Sequence, residues 1–152
     1  MILLDIFLTA GLALTLARLT WIDFRTLRIP DLYTFPLIAA GLALATTEGG
    51  VGLPASAIGG LAGFALFWVV GHLHFLRRGV DGLGLGDAKL FAACGTWLGY
   101  MLLPHVLLVA SLSGLAFAIA CRHASDPRIP FGPFLSLGFL LVWLGTRFQL
   151  VG

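Results

Sequence analysis

Apolar residues run through this chain in six blocks, each of membrane length or slightly less, and each ended by charges or turn formers. They cover roughly Ile2–Thr20, Leu32–Thr46, Ala55–Leu76, Ala88–Leu103, His105–Cys121 and Phe131–Phe148. None shows the strict alternation of a half-buried strand, and lipid offers no partner to unpaired backbone groups, so each block predicts a helix. A bilayer core about 30 Å thick asks for about 20 helical residues. The second and fourth blocks fall short of that, which predicts tilt, polar extension or a thinned bilayer around them. Gly49-Gly50-Val51-Gly52-Leu53-Pro54 reads as a turn. Pro104 is expected to divide the fourth block from the fifth, and Asp126-Pro127 with Pro130 the fifth from the sixth. The expected fold is all-α, a polytopic membrane bundle of about six transmembrane helices, forming one integral-membrane domain over residues 1–152.

Composition narrows the class further. Of 152 residues, 59% are apolar and 11% charged, against about 45–50% and about 25% in soluble domains. The twenty glycines suit membrane helices, where small residues let backbones approach. No basic run carries interleaved aromatics, so nucleic acid is a poor partner. Cys94 and Cys121 lie in apolar blocks without CxxC spacing and read as small buried apolar residues. The N-terminus lacks a basic n-region and a small-residue cleavage site, so it reads as a permanent span.

Charge sets the expected orientation. Arg18, Arg25, Arg28, Arg77, Arg78, Lys89, Arg122 and Arg128 fall at or near the connections after blocks one, three and five, and only Arg147 falls on the other side. The positive-inside rule then places those three connections in the cytoplasm and both termini outside.

Two aspartates stand out against this background. Asp23 closes the first block in Trp21-Ile22-Asp23-Phe24-Arg25, and Asp87 precedes the fourth in Gly84-Leu85-Gly86-Asp87. Charges at the bilayer centre cost about 2.5–3.5 kcal/mol each on insertion scales, so retained ones point to use. Two spans separate them, out and back, which returns both to the cytoplasmic face. Neighbouring carboxylates cannot both ionise cheaply, so one keeps a proton while the other acts as base. Such a pair supplies both the acid and the base that peptide hydrolysis needs. Gly84 and Gly86 are expected to allow unusual φ values and close backbone approach, presenting Asp87 near a helix N-terminus. The plainer reading of either aspartate is a helix cap or a solvated interfacial residue.

Three segments together resemble the prepilin peptidases, or type IV leader peptidases, membrane aspartyl proteases of the Gly-x-Gly-Asp type. Asp23-Phe-Arg-Thr-Leu-Arg-Ile-Pro-Asp31 is similar to the first-aspartate motif of that family. Gly84-Leu-Gly-Asp87-Ala-Lys-Leu90 is similar to the second, with Gly95 and Gly99 following, and Ile129-Pro-Phe-Gly-Pro-Phe134 resembles its Pro-Phe-Gly-Pro segment. The resemblance implies Asp23 and Asp87 as the catalytic pair, with Gly84, Gly86, Lys89, Pro30 and Asp31 supporting the motifs. It implies an aspartic endopeptidase without cofactor or metal, in the bacterial inner membrane with its site facing the cytoplasm. The implied substrates are prepilins or pseudopilins of type IV pili and type II secretion, cut to remove a short basic leader at the edge of their apolar helix. Longer members carry an added N-terminal portion associated with N-methylation; nothing here corresponds to it, so peptidase activity without methylation is expected. The short layout is similar to the dedicated peptidases of tight-adherence pili.

Several other polar residues carry readings of their own. Asp31 can cap the second helix or meet substrate. Lys89 can polarise the pair, contact substrate, or snorkel to headgroups. Asp81 is a candidate acidic contact for the leader, and Asp5 is interfacial. His72 and His74 point apart on a helix, so a metal site is not expected. Gly59-Gly60-Leu-Ala-Gly63 and Gly95–Gly99 give small-xxx-small spacing for close helix packing. The competing function is a small proton- or cation-coupled transporter, against which no inverted repeat is evident.

Overall fold

A computed structural model describes residues 2–79, 84–121 and 130–148, and every regular element among them is helical. In chain order these are α1 (Ile2–Thr26), α2 (Asp31–Leu44), α3 (Leu53–Arg78), α4 (Leu85–Leu98), a 3₁₀ turn (Tyr100–Leu102), α5 (Leu103–Ala120) and α6 (Gly132–Arg147). Three stretches are long and apolar enough to cross a membrane: Leu3–Thr26, Leu53–Arg77 and Tyr100–Ala120. Helices α2 and α4 have 14 residues each, about 21 Å at 1.5 Å per residue, short of a full bilayer core. This is an all-α, multi-pass membrane protein. Its contacts divide into two compact units, Met1–Leu27 with His105–Gly152, and Arg28–Pro104.

In the first unit α1 and α6 run antiparallel. Leu12, Leu16 and Leu19 form a buried stripe on α1 at i, i+4, i+7. Leu135, Phe139 and Trp143 do the same on α6. Near the start of α1, Thr9 accepts a hydrogen bond from the Trp143 indole N–H at 3.0 Å. One turn earlier Asp5 pairs with Arg147 at 3.5 Å, while the Arg147 guanidinium sits over the Trp143 ring. Helix α5 meets α6 where a Cβ on Gly138 would reach the Val106 carbonyl oxygen at 2.6 Å. The opposite face of α1 exposes Leu3, Phe7, Leu14 and Trp21, as a lipid-facing surface does.

In the second unit α4 is the buried element. Ala88 and every residue from Leu90 to Leu98 are buried, as expected of a helix apolar on all sides. Lipid is as apolar as these side chains, so the packing is held by contact and hydrogen bonds more than by exclusion of water. The backbones of α3 and α4 touch at Gly59 and Gly95, where a Cβ on either would collide with the other's carbonyl. Gly63 lies against the Phe91 backbone in the same way. Ser56 donates to the Thr96 carbonyl at 2.6 Å, satisfying one of the acceptors left over where α4 ends. The Trp97 indole donates to the Leu37 carbonyl of α2 at 2.7 Å.

The six helices follow the six apolar blocks, with three local differences. Helix α1 runs on through the polar Trp21–Arg25 cluster to Thr26, so Asp23 lies inside it and not after it. The break between α4 and α5 falls at Gly99, whose φ of 75° few other residues adopt, while Pro104 sits in the first turn of α5 where no N–H is missed. Cys121 is exposed at the end of α5, unlike the buried Cys94.

Candidate active site

Asp23 continues the buried stripe of α1: positions 12, 16, 19 and 23 share one face, and Asp23 is only 5% exposed. A buried carboxylate needs hydrogen-bond partners. Its Oδ2 accepts the backbone N–H of Gly132 at 3.1 Å. Gly132 is the first residue of α6, so this N–H has no partner within its own helix. Asp23 therefore caps α6 from a neighbouring helix, at the positive end of the helix dipole. The donor comes from the Pro130-Phe131-Gly132-Pro133 segment, and a backbone donor leaves no mark of its own in a sequence. One turn later Leu27 ends α1 with φ of 52°, an unusual value for a residue with a Cβ, its N–H bonded to the Asp23 carbonyl at 2.8 Å.

Asp87 is the third residue of α4 and half-buried. Its N–H bonds the Gly84 carbonyl at 3.1 Å. The carboxylate also leans toward Gly84, where a Cβ would stand 3.9 Å from Oδ2. Gly84 has an ordinary extended backbone, φ −69° and ψ 144°, and Gly86 is not among the positive-φ residues, so unusual dihedrals are not why glycine stands at either position. Close approach is the reason at Gly86: a Cβ there would lie 2.8 Å from the Ile29 Cβ and 3.3 Å from the Ile29 backbone N and O.

The same unit brings Asp31 and Lys89 together at 2.6 Å, with the Lys89 ammonium also over the Phe35 ring. Asp31 does not cap α2, whose N-cap is Pro30 without a side-chain hydrogen bond. It stands in the first turn as the partner of Lys89. The motif Asp23–Asp31 is thus divided after Leu27. Its aspartate belongs to the first unit, and its Ile29-Pro30-Asp31 end is packed on the Gly-Leu-Gly-Asp segment of the second. Asp81, the candidate leader contact, lies outside the described residues, as do Arg122, His123 and Arg128. Among the described residues no three His, Cys, Asp or Glu side chains are gathered as a metal would require.

An all-α membrane protein with one aspartate buried on a long helix and a second in a Gly-Leu-Gly-Asp turn defines a narrow class. Residues 10–119 match the Type IV leader peptidase family, and the chain belongs to it. The chain is 38% identical over 146 residues to a prepilin leader peptidase/N-methyltransferase of Burkholderia pseudomallei, covering 93% of this chain and 47% of that protein. It is 41% identical over 143 residues to the protein of that name from Aeromonas salmonicida, covering 88% and 49%. For the one from Escherichia coli K12 the figures are 40% over 126 residues, covering 81% and 56%. The chain spans about half the length of the curated relatives it matches. No solved structure matches it.

Proposed function

We propose that this protein is a membrane aspartyl endopeptidase that removes the short basic leader from prepilin-like or pseudopilin subunits, with Asp23 and Asp87 as its acid–base pair. The observation that carries the reading is Asp23: a carboxylate on the packed stripe of a membrane helix, held by a backbone N–H from the Pro130-Phe131-Gly132-Pro133 segment. A structural cap could use an exposed serine or threonine just as well, so burying an acid at this depth points to chemistry.

In the proposed reaction one aspartate is ionised and the other protonated. The ionised carboxylate takes a proton from water as its oxygen forms a bond to the scissile carbonyl carbon. The protonated partner gives its proton to the carbonyl oxygen, yielding a neutral tetrahedral diol. Collapse returns the carbonyl, breaks the C–N bond and passes a proton to the leaving amine, which becomes the new N-terminus. Proton transfers of this kind contribute about 10²–10⁴-fold in rate. Arginines and Lys89 near the connections after α1, α3 and α5 favour a cytoplasmic location for both aspartates. The substrate's leader would lie on that side and its apolar helix in the bilayer.

The test is reconstitution of the purified chain in liposomes with a prepilin carrying a glycine-terminated basic leader, reading product mass. A product shortened by the leader, absent with Asp23→Asn and with Asp87→Asn at equal membrane levels, is expected. Asp-dependent ion flux across the same liposomes without cleavage would instead mean a transporter. The product's mass also reports whether its N-terminus is methylated.

A further inference from the structure

Helices α1 and α6 are tied together at both ends, and the two ties differ in kind. At one end the Gly132 N–H donates to Asp23 Oδ2 at 3.1 Å. At the other end three polar contacts gather. Arg147 pairs with Asp5 at 3.5 Å, its guanidinium lies 4.5 Å from the centre of the Trp143 ring, and the Trp143 indole donates to Thr9 at 3.0 Å. The Arg147 and Asp5 side chains are only 19% and 27% exposed, so water and salt screen this pair less than a surface pair. Asp5 stands in the first turn of α1 and Arg147 in the last turn of α6, so each charge also meets the helix dipole with favourable sign. Between the two ends the buried residues are Leu12, Leu16 and Leu19 on α1, and Leu135 and Phe139 on α6. Lipid is as apolar as these side chains, so they set the register of one helix along the other less firmly than directional polar contacts do.

We propose that Asp5, Thr9, Trp143 and Arg147 form a register clamp that sets how far α6 reaches along α1 and thereby places the Gly132 N–H on the Asp23 carboxylate. Asp5 and Arg147 are then positioning residues, acting on the site from the opposite end of the helix pair. The inference rests on the peptidase reading for its effect on rate, and is independent of it for its effect on the Gly132 hydrogen bond. Gly132 and Arg147 are the first and last residues of α6, about 22 Å apart at 1.5 Å per residue. A hydrogen-bonded helix is stiff along its axis, so a slip at Arg147 arrives at Gly132. At 3.1 Å the bond to Asp23 already stands near the long end of the N–H···O range, and a slip of about 1 Å would break it.

The test uses the full chain and reads the Gly132 amide directly. Phe131-Gly132 is the one Phe-Gly step in the sequence, so 13C-carbonyl phenylalanine with 15N-glycine isolates that amide as a single NMR signal in detergent micelles. Arg147→Met keeps much of the stem and removes the charge. The Gly132 amide proton should move upfield, as a weakened hydrogen bond requires. Cleavage of a reconstituted prepilin, per folded molecule, should lose about tenfold in kcat with KM within about twofold, since small misplacements of reacting groups are expensive. Arg147→Lys should fall between the two, because it keeps the charge and loses the planar fork and stack. Exchanging the pair as Asp5→Arg with Arg147→Asp should recover part of the loss, because it restores the attraction while opposing both dipoles. A merely stabilising cluster would lower the melting temperature and leave the Gly132 signal and kcat at wild-type values; that result overturns the clamp. A shifted Gly132 signal with unchanged kcat overturns the positioning role. Should Arg147→Met fail to fold, an unmoved Gly132 signal in Arg147→Lys overturns the clamp in its place. A Gly132 signal that responds as expected, in a folded protein that cleaves no prepilin, supports the clamp and overturns the peptidase reading alone.

Discussion

The two aspartates occupy opposite kinds of setting. Asp23 sits inside a long helix, on its packed stripe, and its carboxylate is fixed by a backbone N–H. Asp87 sits in the first turn of a short helix and is half-exposed. Around Asp87, Gly86 packs on Ile29 and Lys89 pairs with Asp31. A backbone donor cannot be mutated away by a side-chain change, so the first carboxylate is held by the helix itself. The second depends on side chains and on the absence of them. The lesson is that two residues of one type can be positioned by different physics, and that mutations should reach them differently.

The sharpest way to break this contrast is to separate the helices that carry the second site. Gly95→Val places side-chain atoms where the Gly59 backbone already lies. Overpacking costs about 1–3 kcal/mol where neighbours can shift, and here a backbone would have to move. Loss of folded protein is expected, read as aggregation in detergent size-exclusion chromatography; a monodisperse variant with wild-type melting would refute the close crossing. Gly86→Ala, meeting Ile29, should cost less folding but lower cleavage about tenfold or more, since small misplacements near reacting groups are expensive.

Leu27 tests the other region. Its left-handed backbone costs roughly 1–2 kcal/mol for a residue with a Cβ. Leu27→Gly removes that strain and should leave thermal stability equal or higher, whereas Leu27→Ile should lower it. The opposite order would mean that the residue is held there by its side chain. Lys89→Met is expected to cost about 0.5–1 kcal/mol, because the Asp31 partner is more than half exposed and its ion pair is screened. Exchanging the two as Asp31→Lys with Lys89→Asp should recover part of that loss. Smallest of all, Thr9→Val removes the acceptor of the Trp143 indole bond and should cost about 0.6 kcal/mol, the average for hydrogen bonds between membrane helices.

Much of this arrangement was legible in the sequence. Six apolar blocks gave six helices in order, and small-xxx-small spacing marked the α3–α4 contact. The end of α1 was not legible as a boundary, because Trp21-Ile-Asp-Phe-Arg25 reads as the edge of an apolar run. Helical hydrogen bonds do not require apolar side chains, and the period of Leu12, Leu16, Leu19 and Asp23 was the better guide. Pro104 looked like the break between α4 and α5, but proline is at home in a first turn, and Gly99 ends the helix instead. Asp31 looked like a cap because capping is local; its partner Lys89 comes from another helix, and no local pattern reports that. Gly132 was marked only as part of the Pro-Phe-Gly-Pro segment and not as the partner of Asp23, since what it contributes is an N–H that every residue but proline has.

A double-mutant cycle on the aspartates tests the central claim most directly. Cleavage by wild type, Asp23→Asn, Asp87→Asn and the double variant would be followed on one reconstituted prepilin, each at matched membrane level. Residues that act as a unit are strongly non-additive. Each single variant should lose about 10³-fold or more in kcat, and the double variant should fall no further. A single variant near the wild-type rate, or a double variant whose loss is the product of the two single losses, would contradict the account.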